Sequence, residues 1–591
     1  MMEKEYDVVV VGGGIAGVCA SIAAARTGAR TALVHERPVL GGNASSEVRM
    51  HIVGATCHGD RPNARETGIL EEILLENKAR NPTYSFTVLD TVMWEKTALQ
   101  PGLDVYLNTT MFGVCMDDEA ARPRIKAVEA RQMTTEKVFR LSAPVFIDCT
   151  GDGTLSAMAG ADYHVGREAA AEYGEPGAVK KADRVTMGNS ILFQARDAGR
   201  PVPFIKPAWA YTFTDDDLMG HDKEITSGYW WVEVGGTVWD TVADAEEIRD
   251  ELLKIVYGIW DHIKNGGDHG ADTLALEWVG FLPGKRESRR VLGDYVLKEQ
   301  DLLAGRVFPD AVGYGGWHID SHPPERFRCI AAKTEESEDL PVHLPGLYTI
   351  PYRSLYARGV ENLLLGGRII SATHRAFAST RVMGTCAVLA QAAGTAAAWA
   401  AERGVTPREL GADVAALQQR LLRDDCYIPG VRNEDPDDLA RGAAVVCSSG
   451  DGAAVIDGVS RITGWVSAPM EGEAPWLELR LPQAGPVGEI RLTFDSDLSA
   501  EIMPSLSDWA QNRQSPLPPA TLVRDYVITA FLGDSAVHTQ TISGNYQRHR
   551  IHALPAGTVC DRLRVTVLAT QGDERARILE ARLYAEAQQK G

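Results

Sequence analysis

The pattern of apolar positions divides the chain into two regimes. Tyr6 to Val11 is a continuous β-branched run, read as a strand buried on both faces. VCASIAAARTGA follows as a helix of small residues, and TALVHE as a second buried strand ending at Glu36. RIKAVEARQ and KVFRLSAPVFIDCTG predict a β-meander, whose last strand leads into a short small-residue helix. AEEIRDELLKIVYGIWDHIKN has apolar residues at helical spacing. VENLLLGGR reads as a buried strand ending in glycines, followed by a helix so rich in Ala and Gly that something must press on its backbone. From about Val445 the pattern changes to period-two alternation between turn residues, which predicts an antiparallel β-sandwich. The expected fold class is an α/β domain with an inserted α+β domain, followed by an all-β sandwich. The expected boundaries are 1–165, 166–344, 345–440 and 445–591.

Composition narrows the function. A chain of 591 residues exceeds one hydrophobic core, and 45% hydrophobic with 24% charged residues is ordinary for a soluble protein. A net charge of −20 argues against nucleic acid and anionic membranes as partners. MMEKEYDVVVVGGG offers no basic segment before an apolar one, and no long apolar run lacks Gly, Ala or charges, so a cytoplasmic location is expected. The nine cysteines are scattered, with no CxxC pair, so neither an iron–sulfur cluster nor a redox disulfide is expected.

The first strand delivers Gly12, Gly14 and Gly17 in G-x-G-x-x-G register at the start of a helix. The first glycine makes the turn, the second admits a pyrophosphate, and the third lets helix pack on strand. The helix N-terminus offers free N–H groups to phosphates, and Glu36 stands where ribose hydroxyls are held. FAD and NAD both fit these residues. Two further stretches select FAD. RPVLGGNAS places Arg37, Gly41, Gly42 and Asn43 directly after the acid, where a simple NAD domain needs no glycines. TGDG, with Asp152, suits the loop that closes over the adenine side of FAD folds. In a two-dinucleotide, glutathione-reductase-like fold, the strand ending at Gly367 and Arg368 and the Ala-rich helix close the domain, with that helix's N-terminus at the flavin. Flavin and first-domain backbone are then what lies against Gly384 and Gly394.

GGNASSEVRMHIVGA, RETGILEEI, MGNSILF, GYWWVE, PGKRESRRVLGDYVL and IPYRSLY with NLLLGGR and STRVMGT together resemble the bacterial FAD-dependent oxidoreductase family. That family is distantly related to fumarate-reductase-type flavoproteins and to the flavin part of heterodisulfide reductase. The resemblance covers roughly residues 5 to 430 and implies an FAD domain with an inserted substrate domain. It implies a reaction class without naming a substrate. The clusters of the heterodisulfide-reductase relatives are not carried over, because their cysteines are missing.

Within the insert, aromatics concentrate: most are expected in the core, and a few against a sugar-like ligand. RESRR (286–290) reads either as a charged face paired with Glu287 and Asp294 or as an anchor for a carboxylate or phosphate, with Arg289 the substrate candidate. Histidines carry the catalytic question, since oxidation of an alcohol needs a neutral base near the carbinol oxygen. His374, behind the second glycine pair, is the first candidate, followed by His318 and His322, with Arg381 orienting substrate. Arg49, His51 and His58 lie just past Gly41 and Gly42, and Arg49 and His51 are taken as substrate-binding. H-x-D-x-H at 318–322 also has metal-ligand spacing, but no further ligands support it and no metal is expected. No second G-x-G-x-x-G exists for NAD(P)H, so hydride is expected to pass between an organic substrate and FAD, with the electron acceptor unassigned.

IDG, WLELRL and LEARLYA in the C-terminal part resemble the discoidin-like, galactose-binding-like sandwich over about residues 445 to 588. A packing or oligomer-forming role is expected for it, with glycan binding as the sharper alternative. Together these readings describe an enzyme that removes hydride from a CH–OH group of a sugar, glycoside or polyol. The rivals are reduction or desaturation of a C–C bond beside a carboxylate, and a non-catalytic flavin-containing carbohydrate sensor.

Overall fold

A computed structural model describes residues 1–218, 224–227, 232–324, 327 and 341–586. Its centre is a parallel sheet in the order Leu363–Leu365, Val145–Asp148, Val8–Val11, Thr31–Val34, Leu103–Tyr106. The first four of these strands are buried at every residue, which is why they read as continuous apolar runs. The expected meander is present as Thr109–Met116, Ile125–Gln132 and Val138–Ser142, with Met2–Glu5 added in parallel at its edge.

On the parallel sheet, the helix Ile15–Arg26 packs against the alanine-rich helix Met383–Arg403. A Cβ at Gly394 would meet the carbonyl oxygen of Ala20 at 2.1 Å, and one at Gly384 would meet Gly54 Cα at 3.0 Å. Backbone from the first segment therefore lies against both glycines, and larger residues would hold the elements apart. The short helix His374–Thr380 precedes the alanine-rich one at a bend of 93°. No single helix among the described residues is long and apolar enough to cross a membrane. The described cysteines form no disulfide.

The insert has its own core. The helix Ala245–Asn265 buries Ile248, Leu252, Ile255, Ile259, Trp260 and Ile263 in a core shared with Phe193 and Val234. Among its aromatics, Trp260 and Tyr314 are buried and Trp209 and Tyr211 exposed, while Tyr229, Trp230 and Trp231 lie outside the described residues.

The C-terminal part is a two-sheet sandwich, with five strands from Ala444–Cys447 onward facing four that end with Arg577–Tyr584. Buried arginines join it to the rest of the chain. Arg548 donates to Asp425 (3.0 Å), Arg491 to the Arg423 carbonyl (2.8 Å), and Arg65 to both Glu71 (2.6 Å) and the Ser496 carbonyl (2.9 Å). Breaking one such buried pair typically costs about 3–5 kcal/mol. Between the strands Glu489–Phe494 and Val523–Leu532, a long excursion leaves the sandwich and returns over the first domain.

Candidate active site

A cavity of about 850 Å³ opens at the carboxyl ends of Val8–Val11 and Val145–Asp148. The helix Ile15–Arg26 starts there with Gly14 as its N-cap and no side chain bonded to its end, so its first N–H groups remain for a ligand. Gly12, Gly14, Glu36, Arg37, Gly41, Gly42 and Asn43 all line this end. Gly17 does not. It lies one turn into the helix, where a Cβ would be 1.8 Å from the Gly12 carbonyl oxygen, so its part is to let the helix seat on the turn. The Gly13 N–H donates to Nδ1 of His35 (3.0 Å), and Nε2 of His35 lies 3.0 Å from the Val39 carbonyl. Nδ1 accepting and Nε2–H donating satisfies both contacts with a neutral ring. Burial and the neighbouring Arg37 push the His35 imidazole down to about 4. The Gly41 N–H donates to the Gly13 carbonyl (2.8 Å) and ties the second glycine pair to the first loop.

At the middle of the cavity, Asp152 receives Lys285 (2.7 Å) and Arg368 (2.9 Å). Burial raises its carboxyl, but Arg368 and Lys285 more than offset this and hold it below the usual range. Gly367 and Arg368 line the same wall, and Arg368 Nε is buried without a hydrogen-bond partner among the described residues. The alanine-rich helix begins beside them at Val382, again without a side-chain cap, and Val382, Met383 and Cys386 line the cavity. Two uncapped helix N-termini, an unpaired buried guanidinium nitrogen and a long cavity suit an anionic dinucleotide.

The far end is built from three parts of the chain. His51, His58 and Trp317 meet Ser507 and Trp509 from the excursion of the sandwich. The His58 ring is edge-to-face with Trp317 (5.1 Å), Trp509 (5.4 Å) and His51 (5.6 Å). His58 Nδ1 lies 3.3 Å from Glu501 Oε1, and His51 Nδ1 lies 3.1 Å from Ser505 Oγ. Burial and the adjacent His58 push His51 down to about 3, so it is a neutral imidazole at ordinary pH. Trp317 Nε1 is buried with no hydrogen-bond partner among the described residues. Alongside, His322 has Nδ1 2.7 Å from Glu233 and Nε2 3.0 Å from Asp320, while Arg286 pairs with Glu233 (3.0 Å) and Arg381 with Asp320 (3.1 Å). Burial raises Asp320, but His322 and Arg381 override it and keep this carboxylate well below its usual range.

Several expected site residues stand elsewhere. His374 does not line the cavity: its Nδ1 bonds Glu287 (2.9 Å), its N–H donates to Glu168 (2.8 Å), and it is 7% exposed. The 93° bend between the two closing helices places the first of them in a buried network with Glu287, Glu168 and Arg290. His318 stacks on Trp317 (4.6 Å) and is not in the lining. Arg49 lies over Trp278 (4.2 Å) and donates to Gln194 (2.5 Å), and Arg289 donates to the Asp152 carbonyl (2.9 Å) beside Tyr163. Neither arginine reaches the cavity. In RESRR, Arg286 lines the cavity, Arg290 pairs with Glu287, and Asp294 pairs instead with Arg408. Of the H-x-D-x-H residues, Asp320 and His322 form one ion-pair chain with Arg381. His35, Glu501 and Trp509 carried no motif, while Lys285 and Glu233 lay within quoted motifs but were not singled out.

The fold and cavity suit a dinucleotide-binding protein. The family model of the FAD dependent oxidoreductases matches residues 7–421, so the chain belongs to that family and its cofactor is FAD. No curated protein matches the chain. Three solved structures are similar to the sandwich. The family 32 CBM of C. perfringens NanJ, in complex with galactose, is 17% identical and covers 25% of this chain and 98% of its own (TM-score 0.19). The Streptococcus pneumoniae fucose binding module SpX-3 is 15% identical over 25% of this chain and 98% of its own (TM-score 0.19). Chitosan-binding module 1 from the Paenibacillus sp. IK-5 chitosanase/glucanase is 16% identical, with the same coverages and TM-score. Scores this low carry no argument about what the sandwich binds.

Proposed function

We propose that the enzyme oxidises a CH–OH group of a polar, ring-shaped small molecule, a sugar, glycoside or polyol, to the carbonyl. The first domain is read as the two-dinucleotide, glutathione-reductase-like arrangement. In it Gly12, Gly14 and the two uncapped helix ends face the pyrophosphate and flavin, Glu36 the ribose, and Gly41, Gly42, Asn43, Asp152, Gly367 and Arg368 the remainder. FAD, when bound, supplies the acceptor for the hydride that leaves carbon. The observation that carries the reading is His58, with Nδ1 turned to Glu501 and its ring framed by Trp317 and Trp509. A carboxylate on Nδ1 holds the proton there and leaves the Nε2 lone pair to take the substrate's hydroxyl proton. His322 is a poorer base, because both its nitrogens face carboxylate oxygens. The Trp317 Nε1–H has a donor to give to a substrate hydroxyl, and the two indoles offer faces for a sugar ring.

Desaturation beside a carboxylate is the second reading, favoured by Arg286 and Arg381 in the lining and by the unpaired Arg381 Nε. Both guanidiniums already carry carboxylate partners, which supports the alcohol reading over it. The test is the flavin spectrum under anaerobic addition of sugars, glycosides, polyols and hydroxy acids. Bleaching by a sugar-like compound supports the proposal. If none bleaches it and the reduced protein is reoxidised by an unsaturated acid, the second reading replaces it.

A further inference from the structure

The insert brings together three metal-binding side chains that lie apart from the cavity. Asp215 sits in the loop after Phe213, His262 in the last turn of Ala245–Asn265, and His269 in the turn that follows. His262 Nε2 is 3.1 Å from His269 Nε2 and 3.2 Å from Asp215 Oδ1, and the three ligand atoms all lie within 4.8 Å of one another. None of the three lines the cavity.

We propose that these residues form a structural site for a divalent transition-metal ion of zinc type, completed by water. The hydrogen-bond geometry supports this. His262 Nδ1 lies 3.2 Å from the Phe213 carbonyl, an acceptor only, so that nitrogen carries hydrogen and Nε2 is the ring nitrogen whose lone pair can bind a cation. That lone pair then faces a carboxylate oxygen and a second imidazole nitrogen. A cation at that point would engage all three ligand atoms at once. A carbonyl on the outer nitrogen is also the usual way a ligating histidine is oriented. Two imidazole nitrogens on one tetrahedral zinc, each at about 2.0–2.1 Å, lie a little over 3 Å apart, close to the separation found here. Asp215 forms no ion pair with a lysine or arginine among the described residues. The His262 side chain is 2% exposed and that of Asp215 74% exposed, so the ion's outer positions face solvent.

Such an ion clamps the loop before Asp215 onto the end of the helix. That loop already packs closely on the helix, since a Cβ at Gly258 would meet the Tyr211 carbonyl at 2.6 Å. The same helix and the strand Glu233–Val234 share one core, and Glu233 holds Arg286 and His322 at the cavity. The site stabilises the part of the insert that supplies Glu233.

The experiment uses tag-free holoprotein stripped with EDTA and titrated with zinc against a chromophoric chelator, with the melting temperature followed in parallel. One equivalent should bind, raise the melting temperature by several degrees, and be reversed by EDTA. His269→Ala and Asp215→Asn alter partly exposed residues and should fold with FAD bound. Each should weaken zinc uptake by more than the about 10–100-fold that loss of an outer-shell partner costs. No stoichiometric uptake, uptake unchanged in both variants, or a melting temperature indifferent to zinc and EDTA would overturn the proposal.

Discussion

Glu501 of the C-terminal sandwich lies 3.3 Å from Nδ1 of His58 of the first domain, a residue that lines the large cavity. The sandwich thus completes a site that the FAD domain begins. If His58 takes the substrate proton, His58→Gln should lower kcat by about 10²–10⁴-fold and leave the flavin spectrum unchanged. Glu501→Gln should lower kcat less, because it removes the orienting charge and keeps the imidazole. Single-turnover flavin reduction measures both. Equal rates in parent and His58→Gln would remove His58 from the chemistry.

Trp509 is 51% exposed, yet its indole lines the cavity and meets the His58 ring. On the proposed function it meets substrate directly, while its exposure leaves it a small part in stability. Trp509→Ala should therefore act on KM. An aromatic contact of about 0.5–1.5 kcal/mol corresponds to a rise of about two- to tenfold. Melting temperature and kcat should barely move, and a Phe replacement should recover most of the affinity.

The His35 imidazole, pushed down to about 4, gives a signed pH dependence. Above its ordinary value of about 6.5 neither folded nor unfolded chain holds a proton there. Between about 6.5 and 4 the unfolded chain binds one and the folded chain does not, so stability falls as the medium is acidified, by up to about 1.4 kcal/mol per pH unit. His51, His549 and His552 are lowered in the same direction, so the parent profile sums several groups. The difference between parent and His35→Gln isolates this one. It should be flat above pH 6.5 and sloped below, whereas FAD retention should fall only near pH 4, where His35 in the folded chain takes a proton and can no longer accept the Gly13 N–H. Denaturant midpoints across that range measure the slope, and parallel profiles would contradict the assignment.

Legibility in the sequence followed the range of the forces involved. Gly12, Gly14 and Glu36 belong to one contiguous βαβ unit, where local spacing determines which residues face the ligand. The alternation of the sandwich strands is likewise local, and its sheets are present. His374 illustrates the opposite case. Following a glycine pair put it near the flavin by sequence, but a 93° helix bend and the buried carboxylate of Glu287 decide where its ring points. Glu501 and Trp509 approach His58 from more than four hundred residues away, inside an excursion with no motif. Only the packing of sandwich on first domain, through buried pairs such as Arg548 with Asp425, brings them there.

Two glycines separate cofactor binding from folding. Around Gly14 the nearest neighbour to an added Cβ is Gly42 Cα at 4.0 Å, so a methyl there enters the cavity and displaces nothing of the protein. At Gly394 the same methyl would come within 2.1 Å of the Ala20 carbonyl, in a helix pair that cannot separate without disturbing the parallel sheet. Gly14→Ala should fold with a melting temperature near that of the flavin-free parent and lose FAD affinity, read by fluorescence titration of the apoprotein. Gly394→Ala should lose about 1–3 kcal/mol of stability, as overpacked cores do, while the FAD it retains keeps its normal spectrum. If Gly14→Ala destabilises the flavin-free protein as much as Gly394→Ala does, the glycine loop is held by packing and its openness to the cofactor is not what requires glycine.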